Sequence, residues 1–184
     1  AAQFLTSAQR EELSNWWLSV RGSANTPNWD LVSTCTVEGQ RGLVLVEAKA
    51  HRSELSTAGK DPGNPQNEAS IRAAIKEANL ALNDLIPGWS LSADSHYQLC
   101  NRFAWSWKLA SLGIPVVMNY LGFLNAAEMS SNSPPFSSAQ EWETEVLKHS
   151  RGIVPERVWT EPLLIGGTPL FSMIRAVDLR GVAG

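Results

Sequence analysis

Four consecutive apolar residues, Leu43 to Val46, lead directly into Glu47-Ala48-Lys49. Such a run is typical of a strand buried inside a sheet. Side chains alternate along a strand, so Glu47 and Lys49 lie on the same face. A buried strand that ends in a carboxylate and an ammonium needs partners for both charges. The feature therefore predicts a charged site at one end of a central strand.

The chain length and the amino-acid composition are those of a compact protein. A chain of 184 residues fits one domain, with 18% charged and 43% hydrophobic residues. The formal net charge of −3 gives no general attraction to nucleic acid, so any basic groove would be local. No apolar run reaches the ~18 residues of a membrane span. Cys35 and Cys100 lie in apolar surroundings and are widely separated, which predicts reduced thiols of a cytoplasmic protein.

Hydrophobic periodicity and capping signals predict a mixed α/β order. Thr6 and Gln9 form a capping box that begins the first helix. Asp94 or Ser95 is expected to begin the helix that contains Trp105. The predicted elements are a helix after residue 6, strands 29–37 and 42–50, helices 68–85 and 94–112, a strand over 114–124, a helix from about 139 to 149, and a last strand near 169–179.

Asp30 is the acidic residue of the neighbouring strand. If the turn comprises residues 38–41, Val37 pairs with Gly42 and Asp30 lies opposite Lys49. Paired residues share a face, so Asp30, Glu47 and Lys49 would converge at one end of the hairpin. A turn one residue longer would place Asp30 on the opposite face.

Two neighbouring carboxylates repel each other unless a cation lies between them. Mg²⁺ binds to one or two carboxylates and leaves its other positions to water and phosphate. A nearby lysine can stabilise charge on a phosphorus centre under attack by water. These residue types therefore suit phosphodiester hydrolysis. The other interpretation is a salt bridge, or charges that protect a strand edge from aggregation.

Asp30 followed by Glu47-Ala48-Lys49 on the next strand resembles the PD-(D/E)XK nuclease superfamily. The resemblance implies a restriction-endonuclease-like mixed β-sheet flanked by helices, with an α-β-β-α-β core over residues 6–124. Residues 125–184 would be C-terminal additions, and 1–184 a single domain. It further implies that Asp30 and Glu47 bind Mg²⁺ or Mn²⁺, that Lys49 is catalytic, and that the protein is an endonuclease acting on DNA.

The resemblance also suggests roles for further polar residues. Glu12, on the first helix, suits an additional catalytic acid, although a solvated helix face is the simpler explanation. Gln98 and Arg102 are four residues apart and could reach the site or a substrate phosphate, or could satisfy buried backbone groups. His51, just after Lys49, could contact substrate or be ordinary polar surface.

Two functions remain open from the sequence. The complete set of Asp30, Glu47 and Lys49 favours a nuclease, and many relatives act as homodimers. The absence of a basic run favours a non-catalytic module of the same fold that binds a protein or nucleic-acid partner. Trp29 stands where the superfamily signature has proline, and an extra helix, 68–85, precedes the helix with Gln98.

Overall fold

The structure is a computed structural model that describes residues 4–20, 26–129 and 133–180. It is an α/β fold with a mixed five-stranded sheet flanked by helices. The helices are α1 (Ser7–Trp17), α2 (Pro65–Leu85), α3 (Tyr97–Ser111) and α4 (Ala139–Ser150); the strands are β1 (Leu31–Val37), β2 (Gln40–Lys49), β3 (Val116–Leu124), β4 (Leu163–Ile165) and β5 (Thr168–Asp178). The strand order is β1-β2-β3-β5-β4. The β2-β3 and β3-β5 pairs are parallel, and the two outer pairs are antiparallel.

The hairpin between β1 and β2 corrects the predicted register. Val37 pairs with Gln40, not with Gly42, because the turn contains only Glu38 and Gly39. Both turn residues have positive φ, 50° and 80°, as a two-residue hairpin turn requires. The shift of two residues places Asp30 opposite Glu47 instead of Lys49. An even shift keeps every side chain on its predicted face.

Helix termini follow their capping signals in most places. The capping box of Thr6 and Gln9 is present at the start of α1. Ser138 accepts a hydrogen bond from Glu141 N at 3.1 Å and caps α4. The prediction for α3 was wrong, since neither Asp94 nor Ser95 caps it. His96 takes that position with a left-handed φ of 48°.

The hydrophobic core lies on one face of the sheet and receives side chains from all four helices. Leu45, Met118 and Leu170 project from the strands into this core. The opposite face presents Val44 and Val117, which are half-buried and lie outside the core cluster.

Several further expectations can be compared with the structure. The last strand is present as β5, whereas the short strand β4 was not predicted. Cys35 and Cys100 are free thiols, as expected. Their apolar surroundings predicted burial of both, but Cys35 is only half-buried, whereas Cys100 is buried and burial raises its pKa to about 11. None of the helices in the described part of the chain combines the length and hydropathy needed to cross a bilayer.

Candidate active site

The carboxyl end of β2 carries a buried ion pair. The side chain of Glu47 is 1% exposed and that of Lys49 is 9% exposed. The ammonium of Lys49 donates a hydrogen bond to Glu47 Oε1. β2 lies between β1 and β3 in the sheet, and Arg102 of α3 packs over the face from which Glu47 projects. The predicted convergence of these two residues is therefore realised as a direct contact.

Arg102, on α3, binds the other oxygen of the same carboxylate. Its Nε donates to Glu47 Oε2 at 2.5 Å, and its Nη2 donates to Asn28 O at 2.6 Å. Nη1 donates to Asn101 Oδ1 at 2.8 Å, and the guanidinium lies 4.6 Å from the ring centroid of Trp29. Because three of its nitrogens donate hydrogen bonds to other groups of the protein, Arg102 positions Glu47 and holds α3 against the end of the hairpin.

Tyr120 lies on β3 directly beside Glu47 in the parallel register. It is fully enclosed, and burial raises the pKa of its phenol well above the ordinary value, with the negative charge of Glu47 adding to the effect. The phenol therefore stays protonated. Tyr120 provides a neutral wall next to the carboxylate.

Asp30 lies immediately before β1 and is exposed. Its backbone N donates to Val46 O at 3.0 Å, which extends the β1-β2 pairing by one residue. Its carboxylate accepts a hydrogen bond from Ala48 N at 2.7 Å through Oδ2. The two acidic residues thus stand at the same end of the hairpin, Glu47 buried and Asp30 open to solvent.

His51 follows two residues after Lys49 and is 4% exposed. Its Nδ1 lies 2.8 Å from Glu54 Oε1, which also accepts the backbone N–H groups of Ala50 and His51 at 2.9 Å. Burial alone would raise the pKa of Glu54, but these hydrogen bonds and the charge of Lys49 hold it below its ordinary value. An ionised Glu54 selects the tautomer with hydrogen on Nδ1. His51 Nε2, a buried atom without a hydrogen-bond partner in the described chain, is then an acceptor.

His96 and His149 form a ring pair that sequence analysis did not find. Their ring centroids are 4.9 Å apart, with His96 at the start of α3 and His149 near the end of α4. Burial is the largest cause that lowers the pKa of His149 to about 4, and the charges of His96 and Lys49 contribute to the same shift. The pair therefore lies within electrostatic reach of the site. No spacing in the sequence signals it, because the two histidines come from distant helices.

Two predicted residues lie further from this centre. Glu12, on α1, is exposed and pairs with Lys108 Nζ at 3.5 Å. Lys108 is six residues beyond Arg102, about 9 Å along α3, so these contacts do not bring Glu12 to Glu47. Gln98 is half-buried, one turn before Arg102, on the helix that contacts the site.

The donor set determines which metal ion the site could hold. Within residues 4–20, 26–129 and 133–180, no group of three or more histidine, cysteine, aspartate or glutamate side chains is arranged to hold a metal ion. Asp30 and Glu47 supply hard oxygen donors from opposed positions. Oxygen donors of this kind suit a hard ion such as Mg²⁺ or Mn²⁺ and not a closed structural zinc site, and in this structure both oxygens of Glu47 are bonded to Lys49 and Arg102.

Comparison with protein-family models, with curated proteins and with solved structures found no match.

Proposed function

We propose that this chain is a metal-dependent nuclease of the PD-(D/E)XK type that hydrolyses phosphodiester bonds of DNA. The observation that carries the proposal is the arrangement of Asp30, Glu47 and Lys49 at one end of the β1-β2 hairpin. Two carboxylates and one ammonium at a strand end are the groups that this reaction needs.

Asp30 and Glu47 would hold Mg²⁺ or Mn²⁺ in this proposal. A bound divalent ion would supply Lewis-acid stabilisation of the charge that develops on the scissile phosphate. To bind the divalent ion, Glu47 would have to lose part of its contact with Lys49. Lys49 would then be released towards the phosphate, where an ammonium stabilises the negative transition state.

His51 gives the site a group that can move a proton. With Nδ1–H donated to Glu54, Nε2 can accept a proton from the water molecule that attacks phosphorus. Attack would form the new P–O bond and break the bond to the leaving oxygen. That oxygen would take up a proton from bulk water, and the protonated His51 would return its proton to water. Glu54 acts here as a positioning residue, because it fixes the tautomer and orientation of the imidazole.

A second candidate is a non-catalytic module of the same fold that binds a protein or nucleic-acid partner. One observation favours it: both oxygens of Glu47 are already neutralised, by Lys49 and by Arg102. Such a pairing satisfies the carboxylate without any metal ion. In this case Glu47, Lys49 and Arg102 would stabilise the end of the hairpin and would have no catalytic role.

Cleavage assays separate the two candidates. Plasmid DNA, single-stranded DNA and single-stranded RNA are each incubated with Mg²⁺ or Mn²⁺ and with the native chain, the Asp30→Asn variant or the Lys49→Met variant. Asp61→Asn, an exposed acidic residue of the loop before α2, is the matched control. We expect cleavage by the native chain and the control, and loss of it in both site variants. Folded native protein that cleaves neither DNA nor RNA with either metal ion would support the binding module.

A further inference from the structure

The outer edge of β5 is unpaired over most of its length. β5 pairs with β3 from Leu170 to Asp178, but β4 covers its other side only at residues 168–170. Beyond Leu170, the described residues supply no strand on that side. An unpaired edge presents a row of N–H and C=O groups that can accept another strand. Ile174 O instead accepts a hydrogen bond from Arg175 Nη1 at 2.8 Å, which indicates that it faces outward.

A cleft of about 390 Å³ lies along this edge. Leu147 of α4, Trp159 and Ile174 give it apolar walls. Ser172 also lines it, is only 5% exposed, and its Oγ has no hydrogen-bond partner among the described residues. A buried hydroxyl without a partner is costly unless a ligand satisfies it. The cleft thus combines apolar walls with an unused polar group at its floor.

The rim of the cleft is acidic. Glu143, Glu156 and Glu161 are all exposed along it, and Arg175 is the cation among its lining residues. Nucleic acid would be repelled by this rim. A second copy of the chain placed edge to edge would bring two acidic rims together, which is also unfavourable. The charge complementarity therefore selects a basic partner.

We propose that the β5 edge binds an extended peptide segment that adds to the sheet beside β5 and that carries both apolar and basic residues on the face turned towards α4. Its backbone pairs with the free groups of β5, and its apolar side chains face Leu147 and Trp159. Its lysine or arginine side chains pair with Glu143, Glu156 and Glu161. This is β-strand addition, in which backbone hydrogen bonds supply affinity and side chains supply selectivity. The proposal is independent of the nuclease function.

The test uses a blocked octapeptide, Val-Thr-Lys-Thr repeated twice, which places valine and lysine on the same face, and a peptide with glutamate in place of lysine is its control. Both are titrated into ¹⁵N-labelled protein, and backbone amide shifts and hydrogen exchange are followed. We expect the lysine peptide to shift and protect amides of residues 172–177, and the glutamate peptide to leave them unchanged. Calorimetry supplies the dissociation constant.

Two charge-matched variants complete the test. Replacing Glu143, Glu156 and Glu161 together by glutamine is expected to weaken binding about tenfold. Replacing Glu11, Glu38 and Glu128, three exposed acids outside the cleft, gives the same net charge and is expected to leave binding unchanged. The proposal is overturned by equal losses in both triple variants, by absence of shifts in β5 at millimolar peptide, or by concentration-dependent protection of β5 without peptide, which would show self-association.

Discussion

Arg102 and Glu47 are joined across 55 positions of sequence by a hydrogen bond of 2.5 Å between Nε and Oε2. Both side chains are almost completely enclosed. The bond ties α3 to the end of β2, so the position of the buried carboxylate depends on a helix and not only on its own strand. The same carboxylate faces Lys49 on its other oxygen. A single group thus connects the packing of the fold with the proposed site.

Replacing Arg102 with methionine is expected to destabilise the protein by about 3–5 kcal/mol, because the carboxylate of Glu47 loses one of its two buried cations. Urea denaturation measures the change. Arg175→Met, an exposed arginine, is the control and is expected to change stability by less than about 0.5 kcal/mol. The double variant Arg102→Met/Glu47→Gln should recover part of the loss. An Arg102→Met protein as stable as the control would contradict this role.

Lys49→Met is expected to bind Mn²⁺ about tenfold more tightly than the native chain, while losing hydrolysis. The ammonium of Lys49 occupies Glu47 Oε1 and repels a divalent ion nearby, so its removal frees a ligand oxygen and lowers the repulsion. Calorimetry gives the affinity, with Lys76→Met, an exposed lysine of α2, as the control. Unchanged or weaker metal affinity in Lys49→Met would show that Lys49 and the metal ion do not compete.

Glu54→Ala is expected to change the tautomer of His51. In the native chain we expect hydrogen on Nδ1; without the carboxylate, that preference should disappear and both tautomers should be populated. Long-range ¹H–¹⁵N spectra of the imidazole report the tautomer directly. The loss of an acceptor for two backbone amides should also cost about 1–3 kcal/mol. Glu156→Ala is the control, and an unchanged His51 spectrum in Glu54→Ala would count against the dyad.

His149 should make stability depend on pH. Its folded pKa of about 4 lies below the ordinary value of about 6.5, chiefly because of burial. The unfolded chain therefore takes up the proton first, and the stabilisation present above pH ~6.5 is lost as the pH falls towards ~4. Urea denaturation gives the free energy of unfolding at about pH 7 and about pH 5. Between these two values, we expect the native protein to lose about 1–2 kcal/mol more stability than His149→Gln loses. Equal losses in the two proteins would refute the assignment.

Gly122→Ala is expected to destabilise the fold by about 1–3 kcal/mol through overpacking. A Cβ at this position would lie 2.6 Å from Cγ of Trp142, whose ring is completely buried against β3. The double variant Gly122→Ala/Trp142→Leu should lose less stability than the sum of the losses measured for the two single variants. Thermal and urea denaturation of the four proteins give the coupling. Additive losses would mean that the ring does not contact this position.

The hairpin and its charged end could be predicted because they depend on local patterning. The apolar run before Glu47 and the alternation of strand side chains determine which face Glu47 and Lys49 share. The register could not be predicted with the same certainty. The two-residue turn needs a positive φ at Glu38 as well as at Gly39. The sequence Glu-Gly allows this conformation but does not require it. The predicted sheet face of each side chain is nevertheless unchanged, because the register error is an even number of residues.

The remaining parts of the site come from contacts between distant elements. The ring pair of His96 and His149 joins the start of α3 to the end of α4, and no local pattern encodes that meeting. His96 begins α3 in a left-handed conformation, whereas the capping preference pointed to Asp94 or Ser95. Tertiary packing against the loop before α2 decides this start, since His96 N donates to Thr57 O at 3.0 Å.

The central claim is that Asp30 and Glu47 together hold a divalent metal ion. The most direct test is calorimetric titration of Mn²⁺ into the native chain, Asp30→Asn and Asp61→Asn. Asp30 is exposed, and asparagine keeps an oxygen for the hydrogen bond from Ala48 N, so folding should be unaffected. The account predicts one site in the native and Asp61→Asn proteins, and affinity reduced at least about tenfold in Asp30→Asn. Absence of binding to the native chain, with and without DNA present, or equal affinity in all three proteins, would contradict it.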